Sequence, residues 1–266
     1  MNKRKIFTLA MSLMMVAILA VGGTLAYFTD TDYNKNVMVT GNVKIDQIEQ
    51  EHNADGELVD FTDNKPLYPV TKDIDGNDWY ATEPNLVEKI VTVKNEGHTT
   101  AYVRTLFAFE AGPADAEIKG TDLLGGSYIH FGYTGKNQIK FSTVQNANNG
   151  NDVYFTKDGT RYVVGVAYYM DSTATDSEGT KTSAIAAGKT TDPSLNSVWL
   201  VSTAGNEFYE YTGDEYDILV LSQAVQTEGF ATAEAAFDAA FGELTAENIT
   251  NWFNTYTTSK GASAEN

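Results

Sequence analysis

From Asn36 onward the apolar residues Val37, Val39, Val43 and Ile45 fall on odd positions, while Asn36, Thr40, Asn42 and Lys44 occupy even ones. A period of two predicts a strand with one buried face; Met38 and Gly41 break it. Residues 49–85 hold three prolines, Asp-Gly and Gly-Asn pairs and few apolar runs, which predicts a long irregular connection with short edge strands. The runs "VEKIVTVKN" and "TTAYVRTLFAFE" flank "NEGH" and predict a hairpin over Val87 to Glu110, with Gly97 supplying a positive φ at the turn.

Further strands are expected at 127–133, 152–156, 161–170, 197–203 and 216–226, with a Ser/Thr/Gly-rich loop over 172–192. In 161–170 Tyr162, Val164, Val166, Tyr168 and Met170 share one face and Val163, Ala167 and Tyr169 the other, so this strand is expected at the centre of a sheet. The period changes near the end. Phe230, Ala233, Phe237, Ala240, Phe241 and Leu244 follow helical spacing, with Thr232 as N-cap and Gly242 as stop; a second helix is expected over 246–256 behind Thr245. Short strands separated by Gly, Asn and Asp turns predict an all-β fold, a β-sandwich with the helices of about 230–256 packed on it. Jelly-roll and immunoglobulin-like topologies both fit this pattern.

The first 26 residues have a basic start (Lys3, Arg4, Lys5), an apolar run from Ile6 to Val21 and a Gly22-Gly23 break before Thr24-Leu25-Ala26. This is the pattern of a secretory signal, too short in its apolar part to span a bilayer. Thr24 and Ala26 stand at the two small-residue positions, so cleavage is expected before Tyr27, with the domain over 27–258 and a disordered tail over 259–266. The expected location is outside the cell, with membrane contact only before cleavage.

The full chain has a formal charge of −18; without the leader, which holds three basic and no acidic residues, the balance is −21. Nucleic acid is an improbable partner for such a surface, because phosphate binding needs clustered Lys and Arg. There is no cysteine, so disulfides and thiolate metal sites are excluded and an exported chain must rely on its core. The 15 Tyr and 13 Phe favour pleated, half-buried surface.

Candidate chemistry is sparse. His52, His98 and His130 form no metal-ligand spacing. "DIDGND" (Asp73 to Asp78) opens like a calcium loop, but Asp78 stands where glycine is required and Pro84 where the bidentate Glu belongs; a plain turn is expected, with weak calcium binding as the alternative. "AAGKTT" (Ala186 to Thr191) imitates the end of a phosphate loop, yet Ser183 replaces its first glycine. No nucleophile elbow or acid/base couple stands out, so no catalytic residue is assigned and an enzyme is not expected.

Four blocks carry a family resemblance: "GGTLAYFTDTD" (Gly22 to Asp32), "VMVTGNVKI" (Val37 to Ile45), "VKNEGHTTAYVRT" (Val93 to Thr105) and "SQAVQTEGFATAEAAFDAAFG" (Ser222 to Gly242). Together they resemble the TasA/camelysin family of exported Gram-positive proteins, whose leaders are cleaved by the signal peptidase SipW. The resemblance implies a jelly-roll sandwich that builds extracellular biofilm-matrix fibres, alone or with other matrix proteins. It also implies strand exchange in which Tyr27, Phe28, Thr29 and Asp30 of one subunit complete a sheet in the next. An unpaired terminal strand satisfies its backbone groups at a neighbour's open edge, and Tyr27 and Phe28 would enter apolar pockets. The alternative is that the two aromatics fold back into their own subunit, with Thr29 to Asp32 as a hinge if both states occur. A monomeric cell-surface or matrix-binding module is the second functional reading. Camelysin's peptidase label has no matching zinc ligands here.

Overall fold

The computed structural model describes residues 29–32, 43–62, 65–72, 85–113, 129–132, 139–145, 151–169, 184–205 and 216–258. Two antiparallel sheets face one another as a β-sandwich, and two C-terminal helices cover the outer face of one of them. The seven-stranded sheet runs β1 (Thr29–Asp32), β12 (Ile218–Gln226), β5 (Ala101–Pro113), β9 (Thr160–Tyr169), β7 (Ile139–Thr143). Beside it, β10 (Ala184–Ile185) pairs with β5 and β8 (Tyr154–Lys157) with β9. The five-stranded sheet runs β3 (Leu58–Asp60), β2 (Ile45–His52), β4 (Val87–Asn95), β11 (Leu195–Leu200), β6 (Ile129–Gly132).

Alternation fills the space between the sheets. Val91 of β4 and Leu195, Val198 and Leu200 of β11 meet Phe107, Phe109, Val163 and Val220 of the opposite sheet. Val43, Ile45 and Val93 meet Val103 and Ala224. Towards β3 the interior becomes charged: Lys89 pairs with Glu49 and lies over the Phe61 ring, and Lys65 reaches Glu51 at 2.6 Å.

The central position expected for 161–170 is observed. β9 sends Val163 and Ala167 between the sheets and Tyr162, Val164 and Val166 to the helix-covered face. Both helices also form as expected. α1 (Ala233–Phe241) is capped by Thr232, whose hydroxyl accepts from the Ala235 N–H at 3.2 Å, and stops at Gly242, with φ of 88°. α2 (Ala246–Thr258) starts behind Thr245, whose hydroxyl accepts from the Asn248 N–H. Phe253 of α2 stacks on Phe155 at 4.9 Å, and Phe237 of α1 meets Tyr168 edge-on at 6.1 Å.

The expected hairpin of Val87 to Glu110 does not exist. Both strands form, but β4 lies in one sheet and β5 in the other, so the chain crosses between layers at 96–100. Gly97 is not among the positive-φ glycines. The crossing is held by Asn95, fully buried, whose amide donates to the Thr99 and Ile185 carbonyls while its Oδ1 accepts from the Gly97 N–H. The Glu96 and Gly97 N–H groups both donate to the Lys44 carbonyl.

Residues 49–85 hold the expected kind of short edge strand, β3, which follows a short turn at Gly56; β2 extends to His52, so the irregular connection starts later than residue 49. The strand expected from Asn36 begins at Ile45 among the described residues. Within 172–192, β10 forms and the phosphate-loop imitation lies along β4: the Asn95 N–H donates to the Lys189 carbonyl, and the Thr191 N–H donates to the Val93 carbonyl. That segment continues the β11 side of β4. Asp73 to Asp78, the 259–266 tail and Tyr27 and Phe28 lie outside the described residues.

Candidate functional site: the edge strand of the seven-stranded sheet

β12 is an apolar strand with two very different sides. On one side β5 pairs with its whole length, from Ile218 opposite Phe109 to Gln226 opposite Ala101. On the other side, among the described residues, only β1 pairs with it, antiparallel, with Thr29 opposite Val225, Asp30 opposite Ala224, Thr31 opposite Gln223 and Asp32 opposite Ser222. Ile218 to Leu221 have no strand on that side among the described residues. Thr29 to Asp32, the hinge if both inserted states occur, form a strand here. Of the residues expected to take part in exchange, Thr29 and Asp30 belong to β1, while Tyr27 and Phe28, with Thr24 and Ala26 of the cleavage site, lie outside the described residues.

Where β1 sits, β12 carries its two polar interior residues. Ser222, fully buried, faces the space between the sheets, donates to Gln47 Oε1 of β2 at 2.7 Å and lies 3.1 Å from the Thr105 hydroxyl of β5. Gln223, also fully buried, faces the helices and accepts at Oε1 from Arg104 Nε at 2.8 Å. The Arg104 guanidinium is enclosed by the Phe237 ring of α1 at 4.4 Å and the Trp252 ring of α2 at 5.4 Å.

Burial pushes Arg104 below its ordinary range, opposed by its hydrogen bond to Tyr168 and by the α1 carboxylates Asp238 and Glu234. Burial likewise raises Asp238, with Arg104 opposing. Arg104 Nη2 and Gln223 Nε2 are buried without a hydrogen-bond partner.

Arg104 and Gln223 are not among the residues expected to carry function from the sequence. A signal was present: each is the one long polar residue in a mainly apolar run, "YVRTLFAF" and "ILVLSQAV". The three histidines are scattered, His52 against Glu88 at 2.9 Å, His98 on the crossing and His130 against Trp199 at 5.6 Å. No group of three metal-ligating side chains occurs among the described residues. What the β12 edge can do is pair backbone with backbone. No family model, curated protein or solved structure matches this chain.

Proposed function

We propose that the mature protein is a structural subunit of extracellular matrix fibres, joined head to tail by exchange of the N-terminal strand after signal cleavage. The observation that carries this reading is the position of β1: the first described segment of the chain is a four-residue strand lying on the outer edge of β12. A strand held there by ladder bonds can leave its own β12 for the same edge of a second copy and recover the same bonds. Ten residues, 33–42, separate β1 from Val43, a length whose extended reach is at most about 36 Å. Repetition without ring closure gives a filament.

The resemblance of the Gly22 to Asp32 block to the TasA/camelysin family supports the same reading, and so does the adjacency of first and last strands, which suits a jelly-roll topology. SipW is the implied processing enzyme, the chain itself the main partner and other matrix proteins secondary ones. No catalysis is assigned.

The test uses mature protein beginning at Tyr27 and a version beginning at Tyr33. The longer protein is expected to scatter light increasingly with concentration and to form filaments in electron micrographs, while the shorter stays monomeric. Equal polymerisation of both would overturn strand exchange.

A further inference from the structure

The pairing registers place five residues in one row across the seven-stranded sheet: Thr31 of β1, Gln223 of β12, Arg104 of β5, Tyr168 of β9 and Lys140 of β7. Three of them, Gln223, Arg104 and Tyr168, are joined side chain to side chain. Both C-terminal helices rest on the middle of that row, because Arg104 is the residue over which the Phe237 and Trp252 rings close. A second link lies two residues along, on the same face: Val225, the register partner of Thr29, is buried in the cluster that holds Ala233, Ala236 and Phe237 of α1.

We infer that Arg104 is a positioning residue that couples the docking of the C-terminal helices to the presence of an N-terminal strand on β12. With β1 in place, β12 is an interior strand and Gln223 is held from both sides. Without it, β12 becomes the sheet edge, and the anchor that Gln223 gives Arg104 loosens along with the Val225 floor of α1. The two unpartnered donors, Arg104 Nη2 and Gln223 Nε2, place an uncompensated cost in this contact, so the docked helices depend on the fixed geometry around it. Coupling of this kind is reciprocal: loosening the helices must loosen β1 equally. For the fibre the inference rests on the proposed strand exchange, since there the strand on β12 comes from a neighbour and the helices sense whether it has arrived.

The test is amide hydrogen exchange on the full mature chain at monomeric dilution. Alternate residues of an antiparallel strand donate to the ladder, so Asp30→Pro and Thr31→Pro are made separately to weaken β1. At least one should accelerate exchange of the α1 and α2 amides about fivefold or more, and Phe237→Ala should accelerate the amides of 29–32 by a similar factor. In an Arg104→Met background, or Arg104→Lys if the first does not fold, the two responses should become independent.

If neither proline moves the helix amides, or if the Arg104 variants respond as the unmodified protein does, the inference is overturned. Because this readout needs no polymer, it can fail while fibres still form by strand exchange, and it can succeed even if the Tyr33-start protein polymerises.

Discussion

Asn95 shows how much one buried polar side chain can fix. It sits at the end of β4, fully buried, with its amide bonded to two carbonyls and its oxygen to one N–H, and so it turns the chain from one sheet to the other. Asn95→Ala would leave those groups unmatched and is expected to cost about 2–4 kcal/mol by urea unfolding. Glu110 is a different case. Its carboxylate accepts from the Asp217 N–H at 3.0 Å, yet burial, aided by the nearby Asp217 charge, raises it to about 7 from an ordinary 4.5. The folded state therefore holds this proton more tightly than the unfolded chain does. The resulting stabilisation is full below pH 4.5 and is lost as pH rises through about 7. Raising pH from 5 to 8 should lower the urea midpoint, by about 1–3 kcal/mol in free energy. Glu110→Gln should flatten that part of the profile, which separates it from general repulsion among the acidic groups.

At the scale of elements, the helices are the more separable layer. α2 is anchored by Ile249 and Phe253, both fully buried, so Phe253→Ala should cost about 3–5 kcal/mol and lower helical circular dichroism. Gly242→Ala is expected to cost more than an ordinary surface change. Its φ of 88° disfavours a side chain, and a Cβ there would come within 2.8 Å of Asn248 Nδ2, which donates to the Glu243 carbonyl. A comparison of urea midpoints checks it.

Both helices, their caps and the two-faced character of β9 were legible in sequence, because each depends on residues close together in the chain. The assignment of β4 and β5 to different sheets was not. Val91, Val93, Val103 and Phe107 alternate in the same way whether two strands pair side by side or face one another across a core. β7 was missed because "IKFST" is short and bordered by the polar "TGKNQ". The β12 edge was only half legible: "TDTD" has no apolar alternation, and its strand character comes from the edge it meets.

For the whole molecule, the formal balance of −21 that remains without the leader (15 basic against 36 acidic residues) opposes contact between copies, so the proposed backbone pairing between subunits would act against repulsion. Assembly is therefore expected to accelerate with ionic strength, as screening shortens the range of that repulsion to about 8 Å near physiological salt. Light scattering of mature protein at 20 and 300 mM sodium chloride, as ~15-fold different salt levels, would check it. Faster growth at the lower salt would contradict it.

Two of the crossings between layers, after Asn95 and after Ile185, occupy the same end of the sandwich and are bonded to one another there, Asn95 to Ile185 and Lys189. Laced by hydrogen bonds as well as by the chain itself, that end of the sandwich is expected to resist fraying.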